Sequence, residues 1–208
     1  MNYAQVIREC LDSISFKERL TIQSKNLFNL KLEYFFRDQL AILLNEKLGS
    51  EFKSIAEYPR DKGKRVDLSI CKKDKSKFDL EKMIELKYQY SGDFDSMSKY
   101  EGVFEKDFST KKISFIDKPG PDFFILIVAD WADKMKNRQD FEEQFTTPVN
   151  GFNHFQQNEK NKSKQGDWKG NVSALFRDKN VKLTDGLIEI NGIVPTKFHY
   201  YIAERINE

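Results

Sequence analysis

Three residues set out the chemistry open to this chain: Asp67 in RVDLSI (65–70), with Glu85 and Lys87 in MIELKYQY (83–90). In an extended strand, side chains two apart share a face. Glu85 and Lys87 therefore project together from an otherwise apolar and aromatic run. Asp67 lies in the preceding segment KRVDLSICK (64–72), where Val66, Leu68 and Ile70 alternate with Arg65, Asp67 and Ser69. If the two segments pair as a hairpin, Asp67 can sit beside Glu85. Neighbouring carboxylates repel unless a positive charge lies between them, and a divalent cation supplies one. Oxygen ligands with open positions suit Mg²⁺ or Mn²⁺. Such an ion polarises a phosphate oxygen and lowers the pKa of a bound water. Lys87 is then placed to orient that water or to stabilise developing charge.

Context, rather than the tripeptide, carries this signal. Asp/Glu-x-Lys occurs three times, as EFK (51–53), ELK (85–87) and DWK (167–169). Only ELK sits inside an apolar strand with an aspartate one strand earlier. The competing reading makes Glu85 and Lys87 an ion network on a solvated sheet face, with Asp67 an ordinary exposed residue. Glu33 shares a helix face with Arg37, so an i,i+4 ion pair competes with a role at the site. Glu57, before the YPR turn, reads as structural. Trp131 and Trp168 read as packing residues, and His154 falls in a polar loop without catalytic company.

Several elements must position these groups. Residues 2–20 read as a helix. Residues 26–48 read as a second helix, apolar nearly all round and stopped by Gly49, so it is expected to pack on more than one side. Segments 51–58, 64–72 and 78–90 read as strands joined by short polar links, which predicts an antiparallel meander. Residues 95–111 read as helical, and PDFFILIVAD (121–130) as a strand buried on both faces. Beyond 131 the expectation is a helix near 138–145, a polar loop over 150–170, a short helix near 171–178, and strands at 186–190 and 197–204. The fold class is α/β: a central mixed sheet flanked by helices, in the order helix, three strands, helix, strand, with a mixed α/β extension.

Composition bounds the rest. The chain has 208 residues and a formal net charge of +2, which fits one domain over 1–208 with a core near 27–130 and an extension over 131–208. No apolar run approaches the roughly 20 residues of a membrane span, and the start lacks a signal-peptide pattern, so no membrane partner and a cytoplasmic location are expected. Cys10 and Cys71 are isolated, which argues against a disulfide framework or a zinc site. No Gly-rich phosphate loop, G-x-S-x-G, H-E-x-x-H or EF-hand loop is present, and no organic cofactor is expected. Residues 58–77 hold eight Lys/Arg and three Asp, a local +5; residues 154–182 hold seven Lys/Arg and three acids, a local +4. Residues 81–107 hold seven acids and four lysines, a local −3. Two basic segments and one acidic one could surround a metal site with phosphate-binding walls; taken singly, each segment reads as an ordinary solvated loop.

RVDLSI followed by MIELKY resembles the PD-(D/E)xK, or restriction endonuclease-like, nuclease superfamily. The resemblance runs over roughly residues 27–130. It implies that Asp67 is the motif aspartate, that Glu85 and Lys87 are the ExK pair, that the Leu86 carbonyl is a main-chain metal ligand, and that Glu33 is the acidic residue of the first core helix. Val66 stands where the motif name has proline. The literal Pro121–Asp122 follows the ExK strand and is in the wrong order. The implied activity is Mg²⁺-dependent hydrolysis of DNA phosphodiester bonds, with Mn²⁺ able to substitute and a type II restriction-type endonuclease as the leading subclass. Double-stranded DNA would be held by Arg60, Lys62 and Lys64 and by Lys160, Lys162, Lys164 and Lys169. Cutting both strands implies a homodimer. The alternatives are a non-catalytic nucleic-acid-binding protein and a protein-interaction module that keeps the fold.

Overall fold

Apolar residues at helical spacing start the chain as two helices, not one. α1 (Tyr3–Leu11) opens with the Asn2 side chain accepting the Gln5 N–H. α2 (Ile14–Asn26) follows directly. The helix expected over 2–20 breaks at Ser13, whose Oγ donates to the Cys10 carbonyl at 2.8 Å and accepts the Phe16 N–H at 3.1 Å. One hydroxyl thus serves the end of α1 and the start of α2. α3 (Glu33–Leu48) buries Phe36, Leu40, Ala41, Leu43 and Leu44, and stops at Gly49 with φ +75°, a conformation glycine adopts at little cost. It packs on α1 and on the sheet. The computed structural model describes residues 1–26, 31–61, 64–95, 102, 104–109, 111, 120–130, 167–177, 179–191 and 195–206.

The strands are β1 (Phe52–Ala56), β2 (Arg60–Asp61), β3 (Lys64–Arg65), β4 (Leu68–Asp74), β5 (Lys77–Tyr90), β6 (Phe123–Asp130), β7 (Val181–Asn191) and β8 (Pro195–Arg205). Six of them form one mixed sheet in the order β1-β4-β5-β6-β8-β7, while β2 and β3 form a separate two-stranded ribbon. β1, β4 and β5 make the expected antiparallel meander. β5 and β6 run parallel, and β8 returns antiparallel to both β6 and β7.

Side-chain alternation divides the core. Ile84, Leu86 and Tyr88 of β5, with Ile125 and Ile127 of β6, join the cluster under α1–α3. On the opposite face Phe124, Leu126 and Val128 pack with Phe94, Phe104, Phe108 and α4 (Trp168–Phe176). Covered on both sides, β6 is a continuous apolar run. Glu85 and Lys87 have the parity of this second face.

Several expected elements differ. The strand over 64–72 is interrupted: its first residues join the ribbon, and Val66 and Asp67 fall before β4 begins at Leu68. There the main chain turns to other partners, the Asp67 carbonyl accepting the Glu57 N–H at 2.8 Å. Of the helix expected over 95–111, the described Gly102 and Phe104 are α-helical, with a 3₁₀ turn (Ser91–Asp95) before them and a π-helical turn (Glu105–Ser109) after them. α4 starts at Trp168 rather than 171 because the Asp167 side chain caps it, accepting the Gly170 N–H at 2.8 Å, so Lys169 is helical. β7 and β8 are longer than expected at both ends. The helix expected near 138–145 lies outside the described residues. Among those residues, no helix is long and apolar enough to cross a membrane.

Candidate functional site

The site forms where β5 outlasts its neighbour. β4 pairs with β5 up to the Leu68–Ile84 pair and then ends, so the backbone of Leu86 and Tyr88 faces an open edge. Two carboxylates from elsewhere take up those donors. Asp67 Oδ2 accepts the Leu86 N–H at 2.8 Å. Glu33 Oε2, from the first turn of α3, accepts the Tyr88 N–H at 3.0 Å. In a strand the N–H and C=O of one residue point the same way, so the Leu86 carbonyl shares the edge with both carboxylates.

Arg37 does not take Glu33 as its partner. Its guanidinium lies 2.7 Å from Asp38 Oδ1 and 2.9 Å from Glu57 Oε1.

Glu85 and Lys87 stand beside this edge. The Glu85 side chain is 3% exposed. Burial pushes its carboxyl up to about 7 and the neighbouring Asp67 adds to the rise, while Lys111 and Lys87 pull the other way. Lys87 Nζ lies 3.8 Å from Glu85 Oε1 and 3.4 Å from Asp107 Oδ2. Burial opposes its charge, but Glu33, Glu85, Asp107 and Asp67 outweigh burial and hold its pKa above the ordinary 10.5. The structure therefore brings Glu33, Asp67, Glu85, the Leu86 backbone and Lys87 together from α3, the β4 approach and β5. Among the described residues no three His, Cys, Asp or Glu side chains converge as a metal group. The donors at hand are the Asp67 and Glu85 carboxylates and one main-chain carbonyl.

Two charged residues were missed by sequence reasoning, Asp107 on Lys87 and Lys111 on Glu85. Lys111 Nζ is 2.7 Å from Glu85 Oε2. Their one signal was i,i+4 spacing in a segment expected to be helical, which reads as a pair with each other. Asp107, on the π-helical turn, and Lys111, two residues past its end, instead each meet a different residue of β5.

The predicted phosphate-binding residues divide. Arg60 and Lys64 are exposed on the two-stranded ribbon, just ahead of Asp67 in the chain. Glu57 is the hub of that region: the Arg60 guanidinium reaches its carboxylate, Arg37 lies at 2.9 Å and Arg65 at 3.6 Å. Lys169 is exposed on α4, its Nζ 5.5 Å from the Trp168 ring centroid. Lys62, Lys160, Lys162 and Lys164 lie outside the described residues, as do Trp131 and His154. Trp168 packs against the second core face and meets His199 edge-on at 5.1 Å. Asp122 of the literal Pro–Asp pair accepts the Met83 N–H at 2.8 Å, a role in tying β6 to β5. No family model, curated protein or solved structure matches the chain.

The arrangement concentrates carboxylate charge in a partly buried corner and supplies two ammonium groups against it. Such a corner can accept a further cation, hold a phosphate oxygen near it, and orient a water.

Proposed function

We propose that this chain is a metal-dependent nuclease with a PD-(D/E)xK core, hydrolysing phosphodiester bonds in double-stranded DNA. The observation that supports it best is the pair of carboxylates, from two different elements, on alternate edge N–H groups of β5. They flank the Leu86 carbonyl and stand beside a buried Glu85 whose carboxyl is raised to about 7. An ion network on a solvated sheet face would leave Glu85 exposed and its pKa near the ordinary value.

Asp67, Glu85 and the Leu86 carbonyl are the groups that would hold Mg²⁺ or Mn²⁺, since hard oxygen donors suit these ions and water or phosphate oxygens complete the shell. When bound, the ion supplies Lewis acidity toward a phosphate oxygen and a lowered pKa for bound water. Lys87, kept protonated by four surrounding carboxylates, donates hydrogen bonds to the attacking water or to the charge that develops on the phosphoryl group. Glu33 steadies the Tyr88 end of the edge and adds to the field on Lys87. Arg60, Lys64 and Lys169, with Lys62, Lys160, Lys162 and Lys164, contact the DNA backbone. A type II restriction-type enzyme acting as a homodimer is the subclass we favour.

The test is incubation of the purified chain with supercoiled plasmid and Mg²⁺, with EDTA as control. Cleavage by wild type, and none by Asp67→Ala or Glu85→Ala despite retained DNA binding, is the expected result. Binding without cleavage by wild type would favour the non-catalytic alternative. Full activity in either variant would remove the assignment.

A further inference from the structure

The nearest cation to Glu85 is not the lysine of the ExK motif. Lys111 Nζ lies 2.7 Å from Oε2, while Lys87 Nζ lies 3.8 Å from Oε1. The two ammonium groups thus attend different oxygens of one buried carboxylate. The terminal torsion of a glutamate is broad and soft, so a carboxylate with neither oxygen held would rotate. With Oε2 held by Lys111, Oε1 is the oxygen left on the Lys87 side.

The turn that ends two residues before Lys111 is tied to a distant part of the chain at Phe108. Arg205, the last residue of β8, donates from Nη2 to the Phe108 carbonyl at 2.7 Å and from Nε to the Pro121 carbonyl at 3.2 Å. Its guanidinium also sits 4.5 Å from the Phe108 ring centroid. One planar group thereby joins the π-helical turn to the entry of β6, which a lysine ammonium cannot do with the same two-donor geometry. Gly120 makes the approach possible. It has φ +134°, and a Cβ there would stand 2.6 Å from the Lys111 carbonyl oxygen and 3.0 Å from that of Phe108. Both the backbone conformation and the space call for glycine.

We propose that Lys111 is a positioning residue of the site, fixing the Glu85 carboxylate for the reaction, and that Arg205, with Gly120, fixes Lys111 in turn. This rests on the nuclease reading above. A purely structural role for either residue would lower stability while leaving turnover per folded molecule intact, and the effects of the two residues would add.

The experiment measures kcat, KM for plasmid DNA with Mg²⁺, and melting temperature. The proteins are wild type, Lys111→Met, Arg205→Lys, the double variant, and Glu85→Gln as an inactive control. Removing a group that orients a metal ligand costs about 10- to 100-fold in activity. Each single variant should lose that much kcat with KM little changed. The double variant should be no slower than Lys111→Met alone, because Arg205 acts through Lys111. Lys111→Gln keeps a donor for Oε2 and should fall between wild type and Lys111→Met; it also replaces Lys111→Met should the latter not fold. Wild-type kcat in the Lys111 variants, with Glu85→Gln inactive, overturns this inference and leaves the nuclease reading standing. Additive losses in the double variant overturn the part assigned to Arg205. Failure of wild type itself to cut overturns the nuclease reading and this one with it.

Discussion

Glu85→Gln should make the metal-free protein more stable, and only above mildly acidic pH. Glu85 is 3% exposed on its side chain, and burial, with Asp67 beside it, raises its carboxyl from 4.5 to about 7. A raised carboxyl keeps its proton in the folded chain after the unfolded chain has lost it. Between about pH 4.5 and pH 7 the folded state therefore binds more protons, and stability falls as pH rises. At about 1.4 kcal/mol per pH unit the full loss is about 3 kcal/mol, reached near pH 8. The pull of Lys111 and Lys87 is already contained in that value. A glutamine of the same shape carries no such charge. Urea unfolding in EDTA at pH 5, 6, 7 and 8 should show variant and wild type nearly level at pH 5 and diverging by about 3 kcal/mol at pH 8. Millimolar Mg²⁺ should then return stability to wild type and little to the variant, since a ligand for the folded state stabilises it by mass action. A difference independent of pH would refute the claim that Glu85 is strained toward neutrality by its burial.

Lys87 offers a second test, because its ammonium lies between Glu85 at 3.8 Å and Asp107 at 3.4 Å. Lys87→Ala should reduce kcat by orders of magnitude with DNA affinity nearly unchanged, and Lys87→Arg should fail as well because a planar fork cannot place a point charge there. If Lys87 only balances local charge, its loss should cost about 1 kcal/mol or less in a melting experiment and arginine should substitute. Neutralising Lys64 with Lys169, or Lys160, Lys162 and Lys164 together, should weaken DNA binding and flatten its salt dependence by about one unit of slope per lost phosphate contact. A filter-binding titration with an unchanged slope would place those lysines away from DNA.

The parts of the site carried on β5 were legible because strand parity is local. Glu85 and Lys87 must share a face wherever the strand lies. Asp67 reached the expected neighbourhood by another route, since it sits in a break before β4 and bonds to the Leu86 N–H. Apolar content alone marked β6 as doubly buried, and Gly49 marked the end of α3. Features set by distant partners left no local trace. A register shift at Ile70/Cys71 against Lys82 and Leu80 leaves Glu81 as an extra residue on β5, a bulge that simple alternation over 78–90 does not reveal. The Ser13 break hid inside a helical pattern, because a serine acts as a cap only if the chain turns there. Lys111 was invisible as a site residue because its partner, Glu85, lies 26 positions earlier on a different element. The place of β8 between β6 and β7 follows from pairing over long separations, which periodicity cannot encode.

That placement of β8 has a consequence for how the protein is made. β6 ends at Asp130, and the strand that completes its far edge spans Pro195–Arg205. At ribosomal rates of about 5–20 residues per second, roughly 4–15 s separate the two. If β6 pairs with β5 in that interval, FFILIVAD is a sheet edge whose amides on the β8 side await that strand. Its β-branched and aromatic residues and single charge are the composition that recruits other strands. Arg205 lies on the same late strand. If Arg205 acts through Lys111 as proposed, the strand that covers this edge of β6 is also the one that completes the positioning of Glu85, so full activity and a sealed edge arrive together.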